Sequence, residues 1–193
     1  ISVLSFIIGN FFAILLAFMR MSQKPWLKYP ARIYISFMRG VPMLVVLFIL
    51  YFGLPYVGIQ IPALLYAIIG FSTVSAAYMA EIFRSSISAV DKGQWEAAQS
   101  LGLPQKPIIH HIILPQALRI AVAPTCNVII DMVKSSSLAA MITVPNLFQN
   151  AKIIGGREYD YMSMYILITF IYWVLSFILE LLQGQVEKRL TVY

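Results

Sequence analysis

The sequence predicts an all-α integral membrane protein with about five transmembrane helices. Three observations carry that prediction. Of the 193 residues, 60% are hydrophobic and only 11% charged, whereas ordinary soluble chains are about 25% charged. Two long stretches, Ile1 to Met19 and Gly40 to Ala80, contain no charge at all. A single long polar stretch, residues 89–119, divides the apolar runs. The net charge of +6 would suit a nucleic-acid partner, but the cations border the apolar runs, as they do in membrane-protein loops. The lone cysteine, Cys126, lies inside an apolar run. It excludes a disulfide within one copy and a cysteine metal site, and reads as a small packing residue.

Ile1 to Met19 would span about 28 Å as a helix, close to the hydrocarbon thickness of a bilayer. The sequence begins without methionine and already inside an apolar stretch, so an upstream piece is expected. A cleaved signal peptide is the competing reading, but here the basic residues follow the apolar run instead of preceding it. Those residues are Arg20, Lys24, Lys28 and Arg32, with no acid among them. The excess of cations puts residues 20–32 in the cytoplasm and the N-terminus outside. Trp26 and Tyr29 suit an interfacial position.

The charge-free run from Gly40 to Ala80 is about twice one span long, and Gly53, Pro55, Gly58 and Pro62 interrupt it. It predicts two helices, 33–53 and 62–83, joined by a short outside turn. Arg39 would lie about two turns into the first and snorkel back to the inner interface. Glu81 and Arg84, three residues apart, can pair on one helix face as the second helix ends.

The polar stretch holds Glu96-Ala97-Ala98, three residues, Gly102, nine residues, Ile112, one residue, then Leu114-Pro115. Trp95, Ala97, Ala98 and Leu101 recur at helical spacing from Lys92 to Leu101. Gly102 stands where a helix takes a C-terminal glycine of positive φ. Pro107 can open a second helix carrying Ile108, Ile109, Ile112 and Ile113, which Leu114-Pro115 would end. Ala97 and Ala98 lack bulk, so another protein surface could approach the backbone closely.

The fourth span, 116–143, contains Gln116, Asn127, Asp131, Lys134, Ser135, Ser136 and Ser137, and Pro124 should break its backbone ladder. Asp131 and Lys134 are three apart and could neutralise each other. Alternatively, Lys134 and the serine hydroxyls, with Asn127, face a polar interior path, since each buried charge at mid-membrane costs about 2.5–3.5 kcal/mol. Residues 145–162 form an outside loop in which Gly155-Gly156 marks a mobile or tightly turning tip. The last span covers 162–182, with its aromatic residues serving packing and interface anchoring, and the chain ends in the cytoplasm.

No glycine-rich phosphate loop with its lysine is present, so ATP is not bound here by that device. His110 and His111 are adjacent and diverge on a helix, with no carboxylate or cysteine at ligand spacing, so no metal is expected. A serine hydrolase built on Ser135, Ser136 or Ser137 lacks a positioned base. The chain is not expected to be an enzyme.

The spacing from Glu96 to Pro115 resembles the EAA motif of binding-protein-dependent ABC importer permeases, and every fixed element of that pattern is present. Arg39-Gly40-Val41-Pro42 is similar to the Arg-Gly-Thr-Pro segment of the amino-acid permeases, with Val41 replacing threonine. Lys134-Ser135-Ser136-Ser137-Leu138 stands where that subgroup has Lys-Asp-Thr-Ser-Leu, so the aspartate has become Ser135. The resemblance covers essentially the whole chain and implies a type I ABC importer permease fold as one domain, residues 1–193, with a cytoplasmic two-helix coupling loop at 89–115.

It further implies that Glu96, Ala97, Ala98, Leu101, Gly102 and Leu103 contact one of two ATPase subunits, which bind the ATP and magnesium. Asn127, Asp131, Lys134, Ser135, Ser136 and Ser137 are the candidate substrate path. The implied partners are a second permease copy or paralogue, an extracytoplasmic solute-binding protein, membrane lipid and a polar amino acid. The implied location is the bacterial cytoplasmic membrane. Loss of the family's aspartate at Ser135 disfavours a cationic cargo, and the wording of the chain is similar to permeases of cystine and related neutral amino acids. The same machine carrying another amino acid or an opine, and a non-transporting membrane scaffold, are the alternatives.

Overall fold

A computed structural model describes residues 1–190 as helices joined by short turns, with no strand among the described residues. In chain order these are α1 (Ser2–Met21), α2 (Pro25–Gly40), α3 (Met43–Tyr56), α4 (Ala63–Ser88), α5 (Lys92–Ser100), α6 (Gln105–Ile142), α7 (Leu147–Arg157) and α8 (Tyr161–Leu190). Helix α3 contains a π turn at Ile49–Gly53, and α6 another at Ile108–Ile113. The last part of α6, Ser136–Ile142, tightens to 3-10 geometry.

Helix α4 is the centre of the bundle, with 56% of its most apolar window buried against 22% or less for α1, α6 and α8. Small residues explain how α1 reaches it. Ser5, Gly9, Ala13 and Ala17 repeat every four residues and are the buried residues of α1. They face Ser72, Ser75, Ala76 and Ala80 of α4, all buried. A Cβ added at Gly9 would lie 2.8 Å from Ser75 Oγ and 3.0 Å from the Ser72 carbonyl oxygen, so the two backbones nearly touch. Lipid tails give apolar helices no hydrophobic reason to leave them, and close packing over small residues is what holds such a pair. The Ser5 hydroxyl adds a 3.4 Å hydrogen bond to the Ile68 carbonyl.

The register of these contacts determines the path of the chain. Ser5 meets Ile68, Gly9 meets Ser72 and Ser75, and Ala13 and Ala17 join Met79 and Ala80. Helices α1 and α4 therefore run parallel, which requires an odd number of crossings between them. The bent pair α2–α3 is then one crossing, and the spans number five. In contrast, α6 is antiparallel to α4: Ala67 and Phe71 cluster with Ala139 and Met132, while Ile87 clusters with Ile113 and Ala117 at the other end. On the turn between α3 and α4, the Tyr66 hydroxyl accepts from the Ile61 amide at 3.1 Å and donates to the Ile59 carbonyl at 3.0 Å.

Several expectations need correction. The helix expected over 33–53 is two helices bent by 106° at Val41 and Pro42, because proline offers no amide and disfavours helix in the residue before it. Arg39 consequently ends α2 and does not snorkel from inside a span. Its guanidinium lies 5.5 Å from the Tyr78 ring centroid. Leu114-Pro115 does not end a helix either. The π turn just before it widens the backbone, Pro115 needs no amide partner at the start of the next turn, and α6 runs on. Pro124 likewise sits inside continuous helix. The loop expected outside contains α7, opened by Asn146, whose side chain accepts from the Gln149 amide at 2.8 Å. Gly155 is buried in its last turn against Tyr161, so Gly155-Gly156 belongs to a helix and is no mobile tip.

Candidate functional site

The polar stretch folds as a capped helix, a glycine turn and the root of α6. Asp91 caps α5 by accepting from the Gly93 amide at 2.7 Å. At the other end the Gly102 amide bonds to the Gln99 carbonyl at 2.9 Å and the Leu103 amide to the Ala98 carbonyl at 3.3 Å. That is a Schellman closure, and Gly102 takes the required positive φ of 71°. Nothing lies within 4 Å of a Cβ built there, so its backbone angle and not crowding demands glycine. The loop has its own small core of Val90, Ala98, Ile108, Ile113 and Ala117, with Trp95 packed against it.

Of the six predicted contact residues, Glu96, Ala97, Leu101, Gly102 and Leu103 are exposed. Ala98 is only 3% exposed, because its methyl group seals the loop core. The close approach expected at Ala97-Ala98 is therefore available at Ala97 alone. Leu101, 78% exposed, projects as an apolar knob beside the glycine. A leucine this exposed at a turn held by capping bonds presents a firm surface to a partner.

Further along α6, a cavity of about 380 Å³ opens between α6, α4 and the start of α3. Asp131, Lys134 and Ser135 line it from α6, Ser75 and Tyr78 from α4, and Met43 from the residue after the Pro42 break. Asp131 and Lys134 form an ion pair at 3.9 Å with both side chains largely exposed. Ser75 borders the cavity, but its hydroxyl, which has no partner among the described residues, is buried in the α1–α4 seam against Gly9. Three of the predicted path residues thus come together, and three do not. Asn127 turns toward α8, where its side-chain oxygen accepts from Gln183 at 3.2 Å. The hydroxyls of Ser136 and Ser137 donate back to the carbonyls of Val133 and Lys134, at 2.7 and 2.8 Å.

Reading the sequence missed Ser75, Tyr78 and Met43. A signal for them was present in Arg39-Gly40-Val41-Pro42, which marks the break that swings Met43 to the cavity and Arg39 onto Tyr78. Loop and cavity share one element. From Gln105 to Ser135, α6 is continuous helix over about 45 Å at the usual rise, so a displacement at its root is carried to Asp131, Lys134 and Ser135. Glu81 and Arg84, toward the C-terminal end of α4, form the pair expected of them, at 2.6 Å.

The comparisons with known proteins agree with this geometry. Residues 9–192 match the family described as binding-protein-dependent transport system inner membrane component. The probable amino-acid ABC transporter permease protein YckA of Bacillus subtilis (strain 168) is 56% identical over 193 residues, covering 100% of this chain and 85% of that protein. The L-cystine transport system permease protein TcyB of the same organism is 40% identical over 194 residues, covering 100% of this chain and 83% of the relative. A crystal structure of an amino acid ABC transporter with histidines superposes with a TM-score of 0.94 at 36% identity, covering 97% of this chain and 88% of that one. The MetNI methionine ABC transporter, in an inward facing conformation, shares the fold at a TM-score of 0.76 and 21% identity, covering 98% and 89% of the two chains. With five spans, a capped loop carrying the EAA spacing and a polar cavity on the same helix, this chain belongs to the binding-protein-dependent inner membrane transport components, as a type I ABC importer permease of the polar amino-acid group.

Proposed function

We propose that this permease, paired with a second copy or a paralogue, forms the membrane path for a neutral, sulfur-containing amino acid such as cystine. The observation that carries the reading is the cavity on α6. An amino acid presents one carboxylate and one ammonium group, and the cavity offers Lys134 and Asp131 with Ser135 within one lining. Ser135 adds no second negative charge, which favours a neutral cargo over a cationic one. The 40% identity to an L-cystine permease supports the same choice, while YckA, named only for amino acids in general, keeps another amino acid as the second reading.

In this proposal the chain itself binds no nucleotide or metal. Two ATPase subunits hold ATP and magnesium, and each takes the exposed face formed by Glu96, Ala97, Leu101, Gly102 and Leu103. Closure of the ATPases moves that loop, α6 conveys the movement, and the cavity turns outward to meet a solute-binding protein. The loops at 20–32 and 84–119 and the end of α8 face the cytoplasm of a bacterial cell, and the N-terminus lies outside. Residues 191–193, part of the expected cytoplasmic tail and of the single domain over 1–193, lie outside the described residues.

Uptake by proteoliposomes containing the permease, its ATPase and its binding protein tests the reading. ATP-dependent uptake of labelled cystine, competed by neutral amino acids and reduced at least about tenfold in Lys134→Met, is expected for loss of a charge-assisted contact. Preferential competition by arginine or lysine would overturn the cargo. Absence of ATP-dependent uptake of any amino acid, with the ATPase still bound, would instead favour a scaffold.

A further inference from the structure

Helix α2 has three faces, and only one of them is occupied. Ala31 and Ile35 are 1% and 3% exposed and pack toward α1 and α4. On the opposite side, Trp26, Tyr29, Ile33 and Phe37 form an apolar stripe, each more than half exposed. Lys24 caps the N-terminus of the helix, and at 100° per residue Lys28 and Arg32 follow it one and two turns on, along the edge of the packed face and away from the apolar stripe, a row about 12 Å long. The first 80 residues contain no acid. Among the described residues, no carboxylate lies within ion-pair distance of any of these three cations. Lys24 instead sits 5.9 Å from the Trp26 ring centroid.

The depth of the helix gives the row its meaning. Ile35 clusters with Ala13, Ala17, Met79 and Ala80, within the last two turns before Arg20 and Glu81, where the charge-free parts of α1 and α4 end, and the Tyr34 hydroxyl reaches deeper to donate to the Thr73 carbonyl at 2.9 Å. Helix α2 is bent 106° from α3 and does not run along the bundle with the spans. A helix at that level, apolar on one exposed side and basic on a flank, has the composition of one lying in the membrane interface. We propose that α2 is an in-plane anchor in which Lys24, Lys28 and Arg32 hold the phosphates of anionic phospholipids, while Trp26 and Ile33 enter the acyl region. Charge complementarity favours lipid over a second copy as the occupant. A second copy would bring the same three cations, while of the carboxylates near this depth Glu81 is held by Arg84 and Glu187 accepts from Gln183. Because α2 ends with Arg39 on Tyr78 at the cavity wall, the anchored helix also holds one side of the path.

Quenching by brominated lipid decides the matter. The permease is reconstituted in vesicles of phosphatidylcholine and phosphatidylglycerol, with bromine on the acyl chains of one lipid at a time. The signal of Trp26 is taken as the difference between the native chain and Trp26→Phe. Brominated phosphatidylglycerol should be enriched at Trp26 at least about fivefold over phosphatidylcholine at equal mole fraction. The enrichment should fall to about onefold in Lys24→Gln/Lys28→Gln/Arg32→Gln and weaken at high salt. Continued quenching of that variant by brominated phosphatidylcholine would show that it is folded and inserted. Equal quenching of the native chain by both lipids would overturn the anionic site. No quenching by either would mean that protein covers the stripe, and would overturn the anchor altogether.

Discussion

Two glycines show how differently the same residue can be required. At Gly102 the space is empty and the φ of 71° is the constraint. A valine there would oppose a left-handed backbone at a cost of about 1 kcal/mol or more, and would displace the Leu101 knob. Gly102→Val is expected to insert normally yet lower ATPase activity that depends on the permease. Full stimulation at matched membrane levels would remove the turn from the contact. At Gly9 the constraint is space. Alanine would gain about 1 kcal/mol in helix propensity, but its Cβ would meet Ser75 and the Ser72 carbonyl at 3.0 Å or less, and overpacking costs about 1–3 kcal/mol. Backbone on one side and a buried β-carbon on the other cannot give way, so the clash wins. Gly9→Ala should lower the melting temperature of the purified permease, and an unchanged or raised value would contradict the α1–α4 seam.

Among the elements, α8 begins with a cap whose strength depends on pH. Asp160 accepts from the Ser163 amide at 3.1 Å, and hydrogen bonding from the Ser163 hydroxyl and amide holds its carboxyl below the usual range. A depressed value means that the stabilising contribution is present above the ordinary carboxylate pKa and is lost as pH falls through the lowered one. Amide protection factors in the first turn of α8, which correct for the intrinsic pH dependence of exchange, should therefore fall on acidification in the native chain. In Asp160→Asn, which keeps an acceptor without a charge, that loss of protection should be absent. Identical pH profiles would exclude the cap. At the other extreme of length, α6 joins the exposed loop to the cavity without interruption, and its three prolines, Pro107 in the first turn, Pro115 after the π turn and Pro124 inside continuous helix, do not break it.

The whole molecule has its ends on opposite sides of the membrane, because the parallel register of α1 and α4 makes α2–α3 a single crossing. Combined with the basic loops, this predicts that residue 102 is reached from the cytoplasm alone. In a Cys126→Ser background, a cysteine introduced by Gly102→Cys should react with an impermeant thiol reagent only in inside-out vesicles. Labelling in intact cells would reverse the orientation.

What the sequence determined by itself is what hydropathy, charge and local chemistry encode. Charge-free runs marked the spans because bilayer thickness sets their length. Gly102 marked the end of α5 because a helix C-terminus closes through a residue of positive φ. Glu81 with Arg84, and Asp131 with Lys134, lay three apart and paired as that spacing allows. The bend of α2 against α3, the inward turn of Ala98 and the separation of Asn127, Ser136 and Ser137 from the cavity were decided only by tertiary structure. Each depends on which neighbour a helix face meets. Gln183 is 56 residues from Asn127, and Tyr78 is 39 from Arg39. A proline, likewise, states that an amide is missing and leaves to the surrounding packing whether the chain bends, as at Pro42, or continues, as at Pro115 and Pro124.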